Sequence, residues 1–267
     1  MEFETLIYEK RAAERLCVVT INRPRSMNAF NYRMCQEFRE LWARVREDDG
    51  INAVVLLAAD GPAFSAGIDV KEIGDPANPL VATDEFNALD PGDFLGPKAN
   101  RCWKPVICAV HGMAAGGAFY WINESDIVLC SDDATFFDPH CTYGMTSALE
   151  PIGALSKIHL GEVLRMVLMG NDERICAQTA LRIGLVTEVT RREDLSQRAC
   201  EIGALVAAKP SVATQGSVKA VWQSLDMTRS AALGGGLHYC QLGNPRGTAE
   251  VDRERIMAVR DKAFAIR

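Results

Sequence analysis

Apolar positions along the first sixty residues change rhythm twice. "RLCVVTINRP" is a β-branched run stopped by Pro24, which predicts a strand. Over residues 31–47, Met34, Phe38, Leu41, Trp42 and Val45 recur at helical spacing, which predicts an amphipathic helix. "NAVVLLAA" (52–59) is apolar throughout, the pattern of a strand covered on both faces. "KPVICAVHG" (104–112) repeats that pattern, and "DIVLCSD" and "TFFD" predict two short strands. Between them "AAGGAFYWINESD" predicts a helix with a Gly-rich start, and 61–104 reads as a long Gly- and Pro-rich excursion with short helices. Alternating strand, helix and strand predicts an α/β fold with a mainly parallel sheet.

Past residue 150 the rhythm becomes mostly helical, interrupted by a strand at "GLVTEVT" (184–190). Leu195, Ala199, Ile202, Leu205 and Val206 fall on one face of a helix over 193–208. Two more helices are expected around 210–224 and 228–242, then a turn at "LGNPRG" and a charged amphipathic helix over 248–267. The expected organisation is a core of residues 1–195 and a helical region of 196–267 that covers the sheet or meets another subunit.

Composition narrows the function classes. Of 267 residues, 48% are hydrophobic and 24% charged, as in soluble globular chains, and the length allows a large core without staples. A net charge of -6 gives no basic surface for nucleic acid. No apolar run is long enough for a membrane span, and the charged N-terminus is unlike a signal peptide. Nine scattered cysteines without a CxxC pair read as reduced thiols, several of them core residues, so a cytoplasmic location is expected.

Two small-residue turns carry the candidate chemistry: "GPAFSAGIDV" (61–70) and "HGMAAGGAFYW" (111–121). Each follows an expected parallel strand, where open α/β sheets bind ligands. Two backbone N–H groups from such turns can converge on one carbonyl oxygen as an oxyanion hole, each donor contributing roughly 3 kcal/mol of barrier lowering. Ordinary tight turns with close helix packing are the alternative.

Together the two turns resemble the crotonase superfamily, the enoyl-CoA hydratase/isomerase family. The resemblance runs through "INRPRSMNAF" (21–30), "FSAGIDVKE" (64–72), "KPVICAVHGMAAGGAFYW" (104–121), "SDIVLCSDDATF" (125–136) and "AQTALRIGLVTEV" (177–189). It implies a spiral of ββα repeats, a helical C-terminal trimerisation region, and homotrimers or hexamers built as dimers of trimers. It also implies an acyl-CoA thioester substrate, with coenzyme A part of the substrate and no separate cofactor. By motif position, Ala66 and Gly117 would supply the oxyanion-hole amides. Arg25, Met27, Ala29, Phe64, Ile68, Asp69, Val70, Met113 and Gly116 would line the substrate site, with Arg25 or Lys71 meeting phosphate. Lys262 and Phe264 are candidates for reaching a neighbouring subunit's coenzyme A.

The sequence departs from the family where its two glutamates are expected: Tyr120 and His140 occupy those positions. His140 is a candidate base, because imidazole titrates near neutrality. Glu150 is a second candidate, against a structural role as a helix N-terminal carboxylate before Pro151. Tyr120 suits hydrogen bonding or an acid role better than a base role. Asp138 can pair with His140 only if the intervening proline allows contact. A His140–Cys141 zinc site lacks further ligands, and Ser65 lacks a nucleophile-elbow context. The expected activity is enoyl-CoA hydration or isomerisation through a stabilised enolate. Loss of both glutamates keeps two alternatives open: an acyl-CoA-binding protein without catalysis, and an acyl-CoA hydrolase.

Overall fold

The computed structural model describes residues 2–72, 90–254 and 266. The chain divides into two compact units, Met1–Ala208 and Lys209–Arg267.

In the first unit, strand pairs alternate between two sheets. The larger sheet, six-stranded among the described residues, has the order β1 (Leu6–Arg11), β2 (Leu16–Ile21), β3 (Ala53–Ala58), β5 (Val106–Val110), β7 (Ile127–Ser131) and β10 (Glu188–Thr190). The smaller has the order β4 (Ala63–Ser65), β6 (Met113–Ala115), β8 (Thr135–Phe137) and β9 (Ile175–Cys176). Thus β3, β5 and β7 each hand the chain to β4, β6 and β8, repeat by repeat, and neighbours within each set run parallel. Among the strands of the described residues, only β1 against β2 and β9 against β8 pair antiparallel.

The apolar runs explain the layering. In β3, Val54 and Leu56 join one core while Ala53 and Val55 join the other, so both faces of the large sheet are covered. Helix α1 (Tyr32–Glu47) buries Met34, Phe38, Leu41, Trp42 and Val45, the five residues its spacing singled out. Asn31 caps it by accepting the Met34 N–H at 3.0 Å. Buried Glu37 ties this helix to the start of β1: it accepts the Glu4 N–H at 2.7 Å, the Thr5 N–H at 2.9 Å and the Thr5 hydroxyl at 2.5 Å. Helix α7 (Arg192–Ala207) covers the other face with Leu195 and Ala199 buried. Leu205, expected on that face, is exposed; Gly203 and Ala207 are the buried small residues there. A side chain on Gly203 would stand 2.6 Å from Val55 Cγ2, so close helix–sheet approach selects glycine.

Cys17, Cys35, Cys102, Cys108 and Cys130 are buried, while Cys141, Cys176 and Cys240 are exposed; all nine cysteines are free. No helix among the described residues is long and apolar enough to cross a membrane.

The second unit pairs α8 (Ser211–Ser224) with α9 (Arg229–Ala249). Here the expected turn at "LGNPRG" is corrected: α9 continues through Pro245. Proline removes one backbone donor and crowds the preceding turn. Packing offsets this, since Gly243 and Gly247, one turn apart, lie against Val212 and Ala213 of α8. Thr248 also donates its hydroxyl to Asn244 O at 2.7 Å. The end of the expected 248–267 helix lies outside the described residues, as do Lys262 and Phe264.

Candidate active site

The two small-residue turns meet. Gly67 has φ +85°, and a Cβ there would stand 2.9 Å from Ala115 O and 3.0 Å from Gly117 N. Only glycine fits both the left-handed backbone and this approach. Gly116, at φ +50°, turns the chain from β6 into a short 3-10 turn (Gly116–Ala118) that leads to α3 (Phe119–Glu124). A Cβ on Gly117 would stand 2.5 Å from Phe30 Cε1, so an aromatic ring fills the space beside that amide.

The backbone bonds correct one expectation. The Ala66 N–H donates to Met27 O at 3.0 Å and is not available to a substrate. Phe30 N–H donates to Gly67 O, and Asp69 N–H donates to Phe30 O, both at 2.8 Å. In this parallel bridge Ile68 lies between the two bonded positions, so its N–H points to the other side. Among the described residues, neither the Ile68 nor the Gly117 N–H has a hydrogen-bond partner. Sequence position pointed to Ala66 in this turn; which of its amides is spent internally depends on pairing with Phe30 and Met27, which has no local signal.

Titratable side chains gather beside Gly116. A Cβ on that glycine would lie 3.4 Å from His140 Cε1. Asp138 and Pro139 follow β8, and His140–Tyr143 forms a 3-10 turn. Proline does not separate the Asp138 and His140 side chains but folds them together. His140 Nδ1 lies 2.6 Å from Asp138 Oδ1, which also accepts the His140 N–H at 3.0 Å. Ser147 donates its hydroxyl to Asp138 Oδ2 at 2.6 Å. The Asp138 hydrogen bond lifts the His140 pKa above its ordinary value, against burial. Burial pushes Asp138 upward, yet the His140 and Ser147 bonds hold it below the usual carboxylate range.

Glu150 stands on the first turn of α4 (Leu149–Ala154), 6% exposed, with Oε1 at 3.9 Å from His140 Nε2. Burial raises its pKa, opposed by its own backbone N–H and by His140. The helix start and the site are therefore the same place for this carboxyl. Asn123 of α3 fixes α4 by donating to Glu150 O at 2.8 Å. Tyr120 donates its hydroxyl to Asp90 Oδ1 at 2.7 Å. Burial, then Glu150 and Asp90, push its pKa far up, so it is a neutral phenol and not a base. Sequence reasoning missed Asp90, Asn123 and Ser147; nothing in their local sequence marks them.

Asp138, His140 and Glu150 offer ligand atoms within 4.8 Å of one another. Both Asp138 oxygens are already engaged by hydrogen bonds, which favours a carboxylate-oriented imidazole over a metal centre.

The expected substrate-lining residues divide. Phe64 is fully buried, edge-on to Trp121 at 6.2 Å, and Ala29 is buried too. Met27 and Val70 are exposed, and Met113 is half-buried at the start of β6. Asp69 is held by Arg23, 3.0 Å away, and Arg23 also donates to Ala29 O at 2.6 Å. Arg23 thus shapes this loop. Arg25, in the turn Pro24–Ser26, is exposed with no ion pair among the described residues, and Lys71 is exposed in the turn Val70–Glu72. A separate cavity of about 460 Å³ is lined by Leu57, Ala109, His111, Arg192 and Leu195. It borders none of these groups, and its Arg192 is already paired with Asp60 and Asp133.

Comparison with known proteins agrees with this architecture. The model of the family described as enoyl-CoA hydratase/isomerase matches residues 11–238. The chain is 31% identical to a short-chain-enoyl-CoA hydratase of Clostridium acetobutylicum over 239 residues, 87% of each chain. It is 30% identical to an (E)-benzylidenesuccinyl-CoA hydratase of Thauera aromatica, over 80% of this chain and 82% of that one. A solved enoyl-CoA hydratase/isomerase from Mycobacterium paratuberculosis superposes with a TM-score of 0.86 at 28% identity, covering 100% of both chains. By sequence and by fold, the chain belongs to the enoyl-CoA hydratase/isomerase family, within the crotonase superfamily.

Proposed function

We propose that this chain hydrates 2-enoyl-CoA thioesters, with Ile68 and Gly117 amides on the thioester oxygen and Glu150 and His140 as the two proton carriers. The observation that carries the reading is the facing pair: Glu150 Oε1 and His140 Nε2 are 3.9 Å apart, beside the turn that holds the unpaired Gly117 amide. At that distance the two are not locked in a hydrogen bond with each other. Asp138 holds the other imidazole nitrogen and supports the protonated ring.

The Glu150 carboxylate takes a proton from water, and the oxygen of that water forms a bond to the β-carbon. Electrons of the double bond move toward the thioester carbonyl, where the two N–H groups stabilise the enolate. His140, protonated on Nε2, then delivers a proton to the α-carbon. This replaces the family's two glutamates with one glutamate and one histidine. Arg25 is assigned to the coenzyme A phosphates, with Met27, Val70 and Lys71, each exposed, assigned to the rest of the coenzyme A. The helical C-terminal region is assigned to trimer or hexamer formation in the cytoplasm. Exposed Val221, Leu225, Leu233, Leu237 and Leu242 on and after α8 and on α9 support that assignment, whereas residues 196–207 already serve the sheet.

The test is loss of conjugated absorbance with crotonyl-CoA and a longer enoyl-CoA. Hydration should fall about 10²–10⁴-fold in Glu150→Gln and in His140→Ala. A double-bond shift lost only in Glu150→Gln would replace hydration by isomerisation. Binding with no turnover on any acyl-CoA would leave a non-catalytic binder, and release of free coenzyme A would make it a hydrolase.

A further inference from the structure

Asp138 serves two neighbours at once. Its Oδ1 takes the His140 imidazole, with Nδ1 at 2.6 Å, and accepts the His140 N–H at 3.0 Å. Its Oδ2 accepts the Ser147 hydroxyl at 2.6 Å. Ser147 lies three residues before Glu150, on the approach to α4. That helix has no side-chain cap at its start, so no capping bond of its own fixes where the first turn stands. Residues 141–146, which join the imidazole to Ser147 along the chain, are exposed, so burial does not place them. Asn123 holds the Glu150 carbonyl from the α3 side at 2.8 Å. The Ser147 hydroxyl ties the same segment to the end of β8, where Asp138 follows Phe137.

Charge works against this closeness. Asp138 and Glu150 each offer a carboxylate oxygen within 4.8 Å of the other, and like charges at that range repel. The repulsion pushes the start of α4 away from the end of β8, and the Ser147 hydroxyl opposes it. We infer that Ser147 is a positioning residue: by bonding the Asp138 oxygen that His140 does not use, it holds Glu150 within reach of His140. It acts through Asp138 and not on the substrate. The inference rests on the reading of His140 and Glu150 as the two proton carriers, and adds what sets their separation of 3.9 Å. Among the described residues, the charged groups acting on the imidazole are Asp138 and Glu150, and those acting on Glu150 are His140, Asp138 and Asp90.

The separation can be read through the charge of Glu150 on His140. The midpoint of the His140 Cε1 proton resonance is measured in the wild type and in Glu150→Gln, then again with Ser147→Ala present in both. In the wild type, removing the Glu150 charge should lower the midpoint by at least about half a unit, a roughly threefold change in the proton dissociation constant. With Ser147→Ala present, the same removal should lower it by less than half as much. Any direct effect of Ser147→Ala on Asp138 or His140 enters both members of its pair and cancels. Ser147→Thr should keep the full shift, whereas Ser147→Val, with the same shape and no hydroxyl, should not. In parallel, kcat for crotonyl-CoA should fall about tenfold in Ser147→Ala and Ser147→Val at nearly unchanged KM, and Ser147→Thr should keep most of it. A Glu150→Gln shift that retains more than half its size without the hydroxyl overturns the inference and leaves the proton carriers untouched. A wild-type shift under about half a unit also overturns it, because there is then no coupling for Ser147 to hold. Hydration that survives both Glu150→Gln and His140→Ala removes the proton-carrier reading, and the inference with it. Thermal melts establish that each variant is folded, and the threonine and valine variants carry the comparison where Ser147→Ala does not fold.

Discussion

Replacing Asp138 by asparagine isolates the carboxylate that orients His140. Asp138 is fully buried, and its side chain lies 2.6 Å from the imidazole with only 22% of the His140 side chain exposed. Asparagine preserves shape, and its oxygen can still accept the His140 N–H. Only the charge on the imidazole contact is lost. A charge-assisted hydrogen bond contributes about 1.5–3 kcal/mol and a neutral one about 1 kcal/mol. The difference, about 0.5–2 kcal/mol, centres on about one pKa unit. His140 should therefore titrate about one unit lower in Asp138→Asn. The assay is proton NMR of the histidine Cε1 resonances across pH, with the His140 signal assigned by its absence in His140→Ala. A midpoint within about 0.3 units of the wild type would refute the dyad, being under a third of that one-unit expectation. Stability provides a second check. His140 has a raised folded pKa, so its contribution is complete below the unfolded value of about 6.5 and is lost as pH rises through the folded value. Asp138 has a lowered folded pKa, so its contribution is present above about 3.9 and is lost as pH falls through the folded value. The destabilisation of Asp138→Asn should thus be largest between about pH 4 and 6.5 and shrink in alkaline buffer.

Other changes follow from the packing and the loops. Gly117→Ala should cost about 1–3 kcal/mol by overpacking, because the new methyl meets Phe30 Cε1 at 2.5 Å; adding Phe30→Leu should restore much of the melting temperature. Gly67→Ala should reduce kcat more than it alters KM, since its methyl would push on the Gly117 amide from 3.0 Å, and steady-state kinetics separates the two. Glu37→Ala should cost about 2–3 kcal/mol in urea denaturation, because the buried Thr5 N–H and hydroxyl lose their acceptor. Arg25→Ala should raise KM for acyl-CoA about tenfold with kcat unchanged, as loss of one phosphate contact of about 1.4 kcal/mol requires. An unchanged KM would move the phosphate contact to Lys71 or elsewhere.

Much of the fold was legible because burial follows period. The five apolar residues spaced along α1 and the continuous runs of β3 and β5 each have one arrangement that hides them from water. Leu205 and Pro245 misled for the opposite reason. In α7 the contact with the sheet is made by small residues, Gly203 and Ala207, whose value lies in close approach and not in hydrophobicity. At Pro245, packing of Gly243 and Gly247 on α8 outweighs a local breaker. The site shows the same division. Motif position pointed to His140 and Gly117, and Glu150 came from its neighbourhood in the chain; the structure brings His140 and Glu150 to 3.9 Å. Motif position did not show that Met27 O consumes the Ala66 amide, nor that Asp90 receives the Tyr120 proton, because both are contacts between segments distant in sequence.

The distribution of cysteines makes the protein its own recorder of opening. Burial pushes the Cys17, Cys108 and Cys130 thiols up to about 12, and raises Cys35 and Cys102 as well, so these five react only when the core is exposed. Cys141, next to His140, and Cys176, whose thiol is made more acidic by Thr179, stand in the open with Cys240. A thiol reagent at neutral pH should thus label in two stages. The early stage reports on the surface and, through Cys141, on whatever occupies the neighbourhood of the imidazole. The late stage counts the molecules that have opened their sheets, with no engineered probe.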